Sequence, residues 1–269
     1  MIQSLIFSEY EWQVASMEDQ AVNEIVKIDS RGMYYRELNR QIRDAVAAGA
    51  KKIHVVNVTG QRYIGSDINE LVEITLNGTP GNDLGAFMDN TRIIVNGNVQ
   101  DGCGNTMDSG EIIVHGRAGD ILGLSARGGE IFVRDDVGYR AGIHMKEYKE
   151  KKPAIVIGGT AQDFFGEYMA GGTLVLLGLT LDVDVMHHTN YIGTGMHSGV
   201  IYIRGSFEEH QLGKEVGIAD LEETDYKILS YYVGKYAGYF GYDVAELMNS
   251  SFTKLYPRWL RPYGRLYTY

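Results

Sequence analysis

Three histidines stand close together in MHHTNYIGTGMHSG (186–199): His187, His188 and His197, with Asp182 and Asp184 just upstream. Imidazoles plus one carboxylate make a recognised zinc-ligand set. The spacing weakens that reading, because adjacent residues in an extended chain face opposite ways, so His187 and His188 would diverge. His197 sits in the corner GTGMHSG and reads as a structural, hydrogen-bonding histidine. Cys103, in DGCGN, is the sole cysteine. It excludes an internal disulfide, and an iron–sulfur cluster held by this chain alone, which needs about four thiolates. It reads as a small residue at a corner. The G-x-G stretches at 102–104 and 193–195 are not G-x-G-x-x-G entering a helix, so they carry no phosphate-binding warrant. Asp135–Asp136 reads as a solvated turn. No nucleophile–base pair is recognisable.

What positions these residues is a repeat. Aligned on their apolar stretches, EITLNG (73–78), RIIVNG (92–97), EIIVHG (111–116), EIFVRD (130–135), AIVIGG (154–159), TLVLLG (173–178) and VIYIRG (200–205) recur at intervals of 19, 19, 19, 24, 19 and 27 residues. The second and fourth columns are always aliphatic, and in a strand they share one face. The sixth column is glycine except at Asp135. A second signature places Gly85, Gly104, Gly123, Gly142, Gly166 and Gly193 three residues before Met88, Met107, Ala126, Met145, Met169 and Met196. Nineteen glycine-rich residues cannot supply two helices, so short strands joined by glycine corners are predicted. The expected fold is mainly β: a single-stranded, right-handed parallel β-helix of about seven coils, roughly 30 Å long. KIHVVNVTGQRYIG (52–65) is a leading coil. The third column, Thr75, Ile94, Ile113, Phe132, Val156, Val175 and Tyr202, faces outward, yet is too apolar to be bare.

Composition bounds the function. The chain has 269 residues and a net charge of −10, which argues against a nucleic-acid partner. No apolar run approaches the roughly 20 residues of a membrane span, and the start MIQSLIFSEYEW has no basic n-region, so a cytoplasmic location is expected.

Helices are expected on both flanks. Residues 30–49 form one, with Ser30 as N-cap, Gly49 as stop, and Leu38, Ile42, Ala45 and Val46 on its apolar face. Leu38 and Ile42 should cover the first coil. Residues 224–240 form another, with Ile228, Tyr232, Tyr236 and Phe240 in a stripe, and 243–250 a third. These should cover the other end or one flank. The tail SFTKLYPRWLRPYGRLYTY carries Lys254, Arg258, Arg261 and Arg265 with no acid, and its arginines and Trp259 could dock a partner or fold back on the chain. Part of the third-column ladder is the other candidate docking surface. The expected organisation is an N-terminal segment with a helix (1–51), the β-helix (52–207) and a C-terminal region (208–269).

The G-x-x-x-G-x-x-M pattern, the aliphatic strands and GTGMHSGVIYIRG (193–205) resemble the GXGXG domain, the C-terminal β-helix of the glutamate synthase alpha subunit. YYRELNRQIRDAVAAGA (34–50), NVTGQRYIG (57–65) and FTKLYPRWLRPYGRLY (252–267) resemble the free-standing form of that domain in archaea and some bacteria. The resemblance implies an assembly role beside a glutaminase chain, whose nucleophile is an N-terminal cysteine, and a synthase chain holding FMN and an iron–sulfur cluster. Residue 2 here is Ile, so no such cysteine is expected, and no cofactor is expected on this chain. A homo-oligomer is also compatible. Two alternatives stand beside this: a component similar to the formylmethanofuran dehydrogenase chain that shares the glycine motif, and an enzyme in its own right using the insertion histidines.

Overall fold

The computed structural model describes residues 25–182 and 184–259. Nine parallel strands follow one another in chain order: β1 (Ile25–Asp29), β2 (Lys52–Thr59), β3 (Glu73–Thr79), β4 (Arg92–Asn96), β5 (Glu111–Val114), β6 (Glu130–Val133), β7 (Ala154–Ile157), β8 (Ala170–Leu176) and β9 (Ser198–Arg204). From β2 to β9 the second column stacks in register as Ile53, Ile74, Ile93, Ile112, Ile131, Ile155, Leu174 and Ile201. This is a parallel β-solenoid, with the alignment columns as its ladders. The longer intervals leave the register intact, apart from a bulge between Ala170 and Thr173. A second wall is marked by parallel bridges joining Val99, Ala118, Val137 and Ala161. Asp135 and the Ser125–Ala126 pair keep the frame: the Asp135 amide still donates to the Gly116 carbonyl at 3.1 Å, and Ala126 is buried.

The second and fourth columns fill the interior together with Met88, Met107, Met145, Met169 and Met196, all buried. The glycine ladder explains how they fit. Gly104 is left-handed at φ +70°, and a Cβ there would lie 2.4 Å from Cδ1 of Ile131. Gly85, also left-handed at φ +65°, stands in the same relation to Ile112, at 2.9 Å. The corner glycines thus leave room for an aliphatic tip from another coil: an isoleucine at most of them, Leu174 at Gly142 and Val216 at Gly193.

Helix α1 (Tyr35–Ala47) closes the first coil with Leu38 and Ile42, both buried. It begins later than the sequence suggests. Ser30 is not its N-cap: β1 carries Ser30 into the interior, where its Oγ donates to the Val56 carbonyl at 2.9 Å. Helix α2 (Glu223–Phe240), not a partner, covers the third column. Phe132, Val156, Val175 and Tyr202 form a second core with Leu229, Val233, Tyr236 and Ala237 of α2 and Leu247 of α3 (Val244–Met248). The stripe is rotated from the expected one: Tyr236 is buried, but Ile228, Tyr232 and Phe240 are only partly so. The tail begins as a strand. β11 (Phe252–Pro257) runs antiparallel between β9 and β10 (Val216–Ala219) and finishes the sheet. Thus α2 lies along a flank, and β10 and β11 extend the far end.

Charge fixes α2 in place. In the first column Arg92 bridges Glu73 at 3.2 Å and Glu111 at 2.9 Å. Glu111 and Glu130 then stack as like charges, and Lys235 from α2 enters between them, 2.6 Å from Glu111 and paired with Glu130. Burial works to lower the Lys235 pKa, but the two carboxylates hold it raised. Tyr239 donates to Glu111 at 2.6 Å. At the start of α2 the buried Asp225 accepts from Tyr202 at 2.6 Å and Lys254 at 2.8 Å, locking helix, β9 and β11 together.

Two outcomes follow. Gly104→Ala should lose about 2–4 kcal/mol, combining overpacking and left-handed strain, whereas Phe87→Gly, at an exposed left-handed position, should change stability by no more than about 1 kcal/mol. Equilibrium denaturation of both checks this; equal losses would refute the interlock. Lys235→Met should lose about 1–3 kcal/mol, because Glu111 and Glu130 are left facing each other half-buried. A melt unchanged from wild type would remove Lys235 from the helix lock.

Candidate functional site

The structure separates the three histidines by environment. His187 is 2% exposed, and both ring nitrogens are engaged. Nδ1 lies 3.2 Å from Thr160 Oγ1, and Nε2 lies 2.9 Å from the Arg204 carbonyl, to which it donates. That assigns the Nε2–H tautomer, with Nδ1 accepting from the threonine hydroxyl. His188 is exposed. His197 is half-buried at its corner, with Nδ1 3.5 Å from the Gly195 carbonyl. Among the described residues no group of three or more His, Cys, Asp or Glu side chains is placed to hold a metal ion. Cys103 is buried between two left-handed glycines, and burial pushes its thiol up to about 12. A thiol so held is a packing group rather than a nucleophile or ligand.

Asp135 and Asp136 are not a solvated turn. Asp135 pairs with Arg134 at 3.0 Å, which draws its carboxyl below the usual range. Asp136 accepts the Thr160 amide at 3.0 Å. The same device recurs along the solenoid: Asn98 accepts from the Arg117 amide, Asp101 from the Asp120 amide and Asp120 from the Tyr139 amide, each at 2.9 Å.

The surface left over lies at the glycine corners. Two residues before each corner glycine stand Tyr63, Asp83, Gly102, Ile121, Arg140, Phe164 and Tyr191; two residues after stand Asp67, Phe87, Thr106, Ser125, His144, Tyr168 and Gly195. Every one is left-handed. The corner is therefore three alternating left-handed residues, and only the middle one is glycine throughout. The outer two project away from the core and tolerate side chains, at roughly 1–2 kcal/mol each for non-glycine types. Several are large and exposed: Phe87 at 56%, Tyr191 at 55% and Tyr168 at 46%. Toward the far end they stack. Phe164 and Tyr191 are 4.8 Å apart at 13°, with the Arg140 guanidinium 4.7 Å above Phe164. His144 and Tyr168 are 5.2 Å apart at 14°. These strained positions keep aromatic rather than glycine side chains. The sequence signal was present at fixed offsets from the glycine column, but tyrosine and phenylalanine do not advertise a left-handed backbone.

The tail candidates divide. Arg258 and Trp259 are exposed, Trp259 at 64%. Lys254 is consumed by Asp225. Arg261 and Arg265 lie outside the described residues. The third-column ladder is largely removed as a docking surface, because Ile113, Phe132 and Val156 are buried, and Phe132 and Val156 pack in the α2 core.

The buried His187 generates a pH dependence. Burial, its largest cause, lowers its pKa from 6.5. The unfolded chain therefore takes up this proton first. Stability is complete above that ordinary value and is lost as pH falls from there toward the lower folded one. The melting temperature should drop between about pH 7 and pH 5, and His187→Gln should flatten that dependence. Equal slopes in both proteins would show that the pH response lies elsewhere.

No helix among the described residues is long and apolar enough to cross a membrane. An uncharacterized protein of Methanocaldococcus jannaschii is 47% identical over 253 residues, spanning 91% of this chain and 97% of that protein. The family model for the GXGXG motif matches residues 36–263, which takes in nearly all of α1, the solenoid strands β2 to β9, α2, α3, β10 and β11; the chain belongs to the GXGXG motif family.

Proposed function

We propose that the chain is a non-catalytic assembly subunit of a glutamate synthase-type complex. Partner chains carry the chemistry, the glutamine-dependent reductive amination of 2-oxoglutarate to glutamate. The glutaminase chain releases ammonia, and the FMN-binding synthase chain holds the flavin and an iron–sulfur cluster. The observation that carries this reading is the division of side chains. Groups with chemical potential, His187, Cys103, Asp136 and Asp225, are bound into the fold, while the exposed aromatics at the corners sit on backbone that glycine would relax. The one cysteine, buried as a neutral thiol, does not fit a cluster ligand. The family supports a glutamate synthase-related role. The stacked aromatics around Phe164, Tyr168 and Tyr191 are the proposed docking surface for the synthase chain, and Arg258, Trp259, Arg261 and Arg265 of the tail are proposed docking residues as well.

The triple variant Phe164→Gly, Tyr168→Gly and Tyr191→Gly should keep its fold and weaken co-purification with the synthase chain by about tenfold or more. Undiminished complex formation would remove this surface from the assembly. Glutaminase or glutamate synthase turnover by the purified chain would overturn the non-catalytic reading itself.

A further inference from the structure

An acidic protein concentrates arginine in one place. Arg36, Arg40 and Arg43 follow one stripe of α1 and face the GQRYIGS segment (60–66) across an open groove of about 590 Å³. Tyr35, Asn39 and Tyr63 complete the lining used here. Arg62 stands at its edge and acts on the Tyr35 phenol. Four guanidinium groups meet two carboxylates, Glu37 and Asp44. Glu37 is taken by Arg40, at 2.7 Å. Arg36, Arg43 and Arg62 make no ion pair among the described residues. Arg36 reaches only the Tyr35 hydroxyl, at 3.3 Å, and Arg43 only the Ser66 carbonyl, at 2.9 Å. The Tyr35 phenol is drawn below its ordinary value, by its bond to Arg36 first.

The walls are held rigidly. Asn39 Nδ2 donates to the Arg62 carbonyl at 2.8 Å. The buried Gln61 ties the segment to the turn before α1, donating to the Ser30 carbonyl at 3.1 Å. Tyr63 is left-handed at φ 60°, 42% exposed, with its ring 5.8 Å from Tyr35. Tyrosine and arginine on a fixed frame are the residues that anchor protein–protein contacts, and the guanidinium fork matches a carboxylate in two bonds.

We propose that this groove docks an acidic, carboxylate-rich segment of a partner protein. Its length supports a chain rather than a small ion: a 13-residue helix is about 20 Å long, room for roughly six extended residues. The site is distinct from the aromatic corners near Phe164, and the proposal holds whichever complex the chain serves, so the co-purification experiment can fail while this one succeeds.

The test uses the full chain and fluorescein-labelled hexaglutamate, with hexaglutamine as the neutral control. Wild type should bind the acidic peptide, and Arg36→Glu/Arg43→Glu should weaken binding by at least about tenfold. Arg127→Glu/Lys149→Glu, an equal charge change elsewhere on the rod, should leave it within about twofold. Thermal melts establish that each variant is folded. No binding by wild type, or equal loss in both double variants, overturns the proposal. So does displacement of the peptide by an equal concentration of inorganic pyrophosphate, which would make the groove a small-anion site. Self-association abolished by Arg36→Glu/Arg43→Glu would name a second copy as occupant. Residues 1–24 contain five acids and no base. If neutralising Glu9, Glu11, Glu18, Asp19 and Glu24 tightens peptide binding more than about twofold, the chain's own segment is the occupant instead.

Discussion

The structure depends on a contact between a missing side chain and an isoleucine tip. At Gly104 the space a Cβ would take is occupied by Cδ1 of Ile131, and at Gly85 by that of Ile112. A left-handed backbone and a neighbouring strand's side chain must occur together, so the corner and the core cannot be specified separately. That is why the apolar columns and the glycine column share one period. The longer intervals keep it too: the extra residues fall between Gly142 and Ala154's strand, and between β8 and Gly193, never between a strand and its own ladder. The spacing of the ladders is set by backbone hydrogen bonds, and the fit by these interlocks.

The same corner produces the outer surface. Turning the chain through one left-handed glycine brings the residues two before and two after into left-handed conformation as well. Those side chains point away from the core, so their identity is set by neighbours in the outer ladder, as where Gly195 makes room for the Tyr168 ring. The chain uses these positions for Asp83 and Thr106 in some coils and for Phe164, Tyr168 and Tyr191 in others. The aromatics add strain without adding core. Their stacking recovers part of it, since offset ring pairs are worth about 0.5–1.5 kcal/mol, yet their outer faces remain open to a partner.

Much of the fold was legible because it is periodic. The column alignment returned the register of every strand from β3 to β9, and Leu38 and Ile42 were recognisable as a cap by their helical spacing. What escaped lacked a local signal. Ser30 has the chemistry of an N-cap, but the short strand Ile25–Asp29 draws its hydroxyl to Val56. Lys254 and Asp225 lie 29 residues apart and meet only after β11 has turned back beside β9. Glu111 and Glu130 look like ordinary solvated strand starts until Lys235, more than a hundred residues away, arrives between them. Of the candidate site, the tail's charge was visible, whereas the corner aromatics required backbone angles that their residue types do not signal.

The ends of the sheet constrain how such a rod associates. A parallel solenoid offers open strand edges, and long, flat, apolar edges invite end-to-end growth. Among the described residues neither terminal strand fits that description. β1 has five residues, with Lys27 and Asp29 exposed, and β10 has four, including Gly217. The antiparallel entry of β11 also breaks the parallel register at the far end. One flank is sealed by α2 through Lys235 and Tyr239. With one flank sealed and both ends poor templates, side-on recognition is favoured over stacking. The two proposed surfaces are the aromatic corners and the arginine groove beside α1. Both are built on backbone fixed by the coil, so a partner meets a preorganised face rather than one it must order.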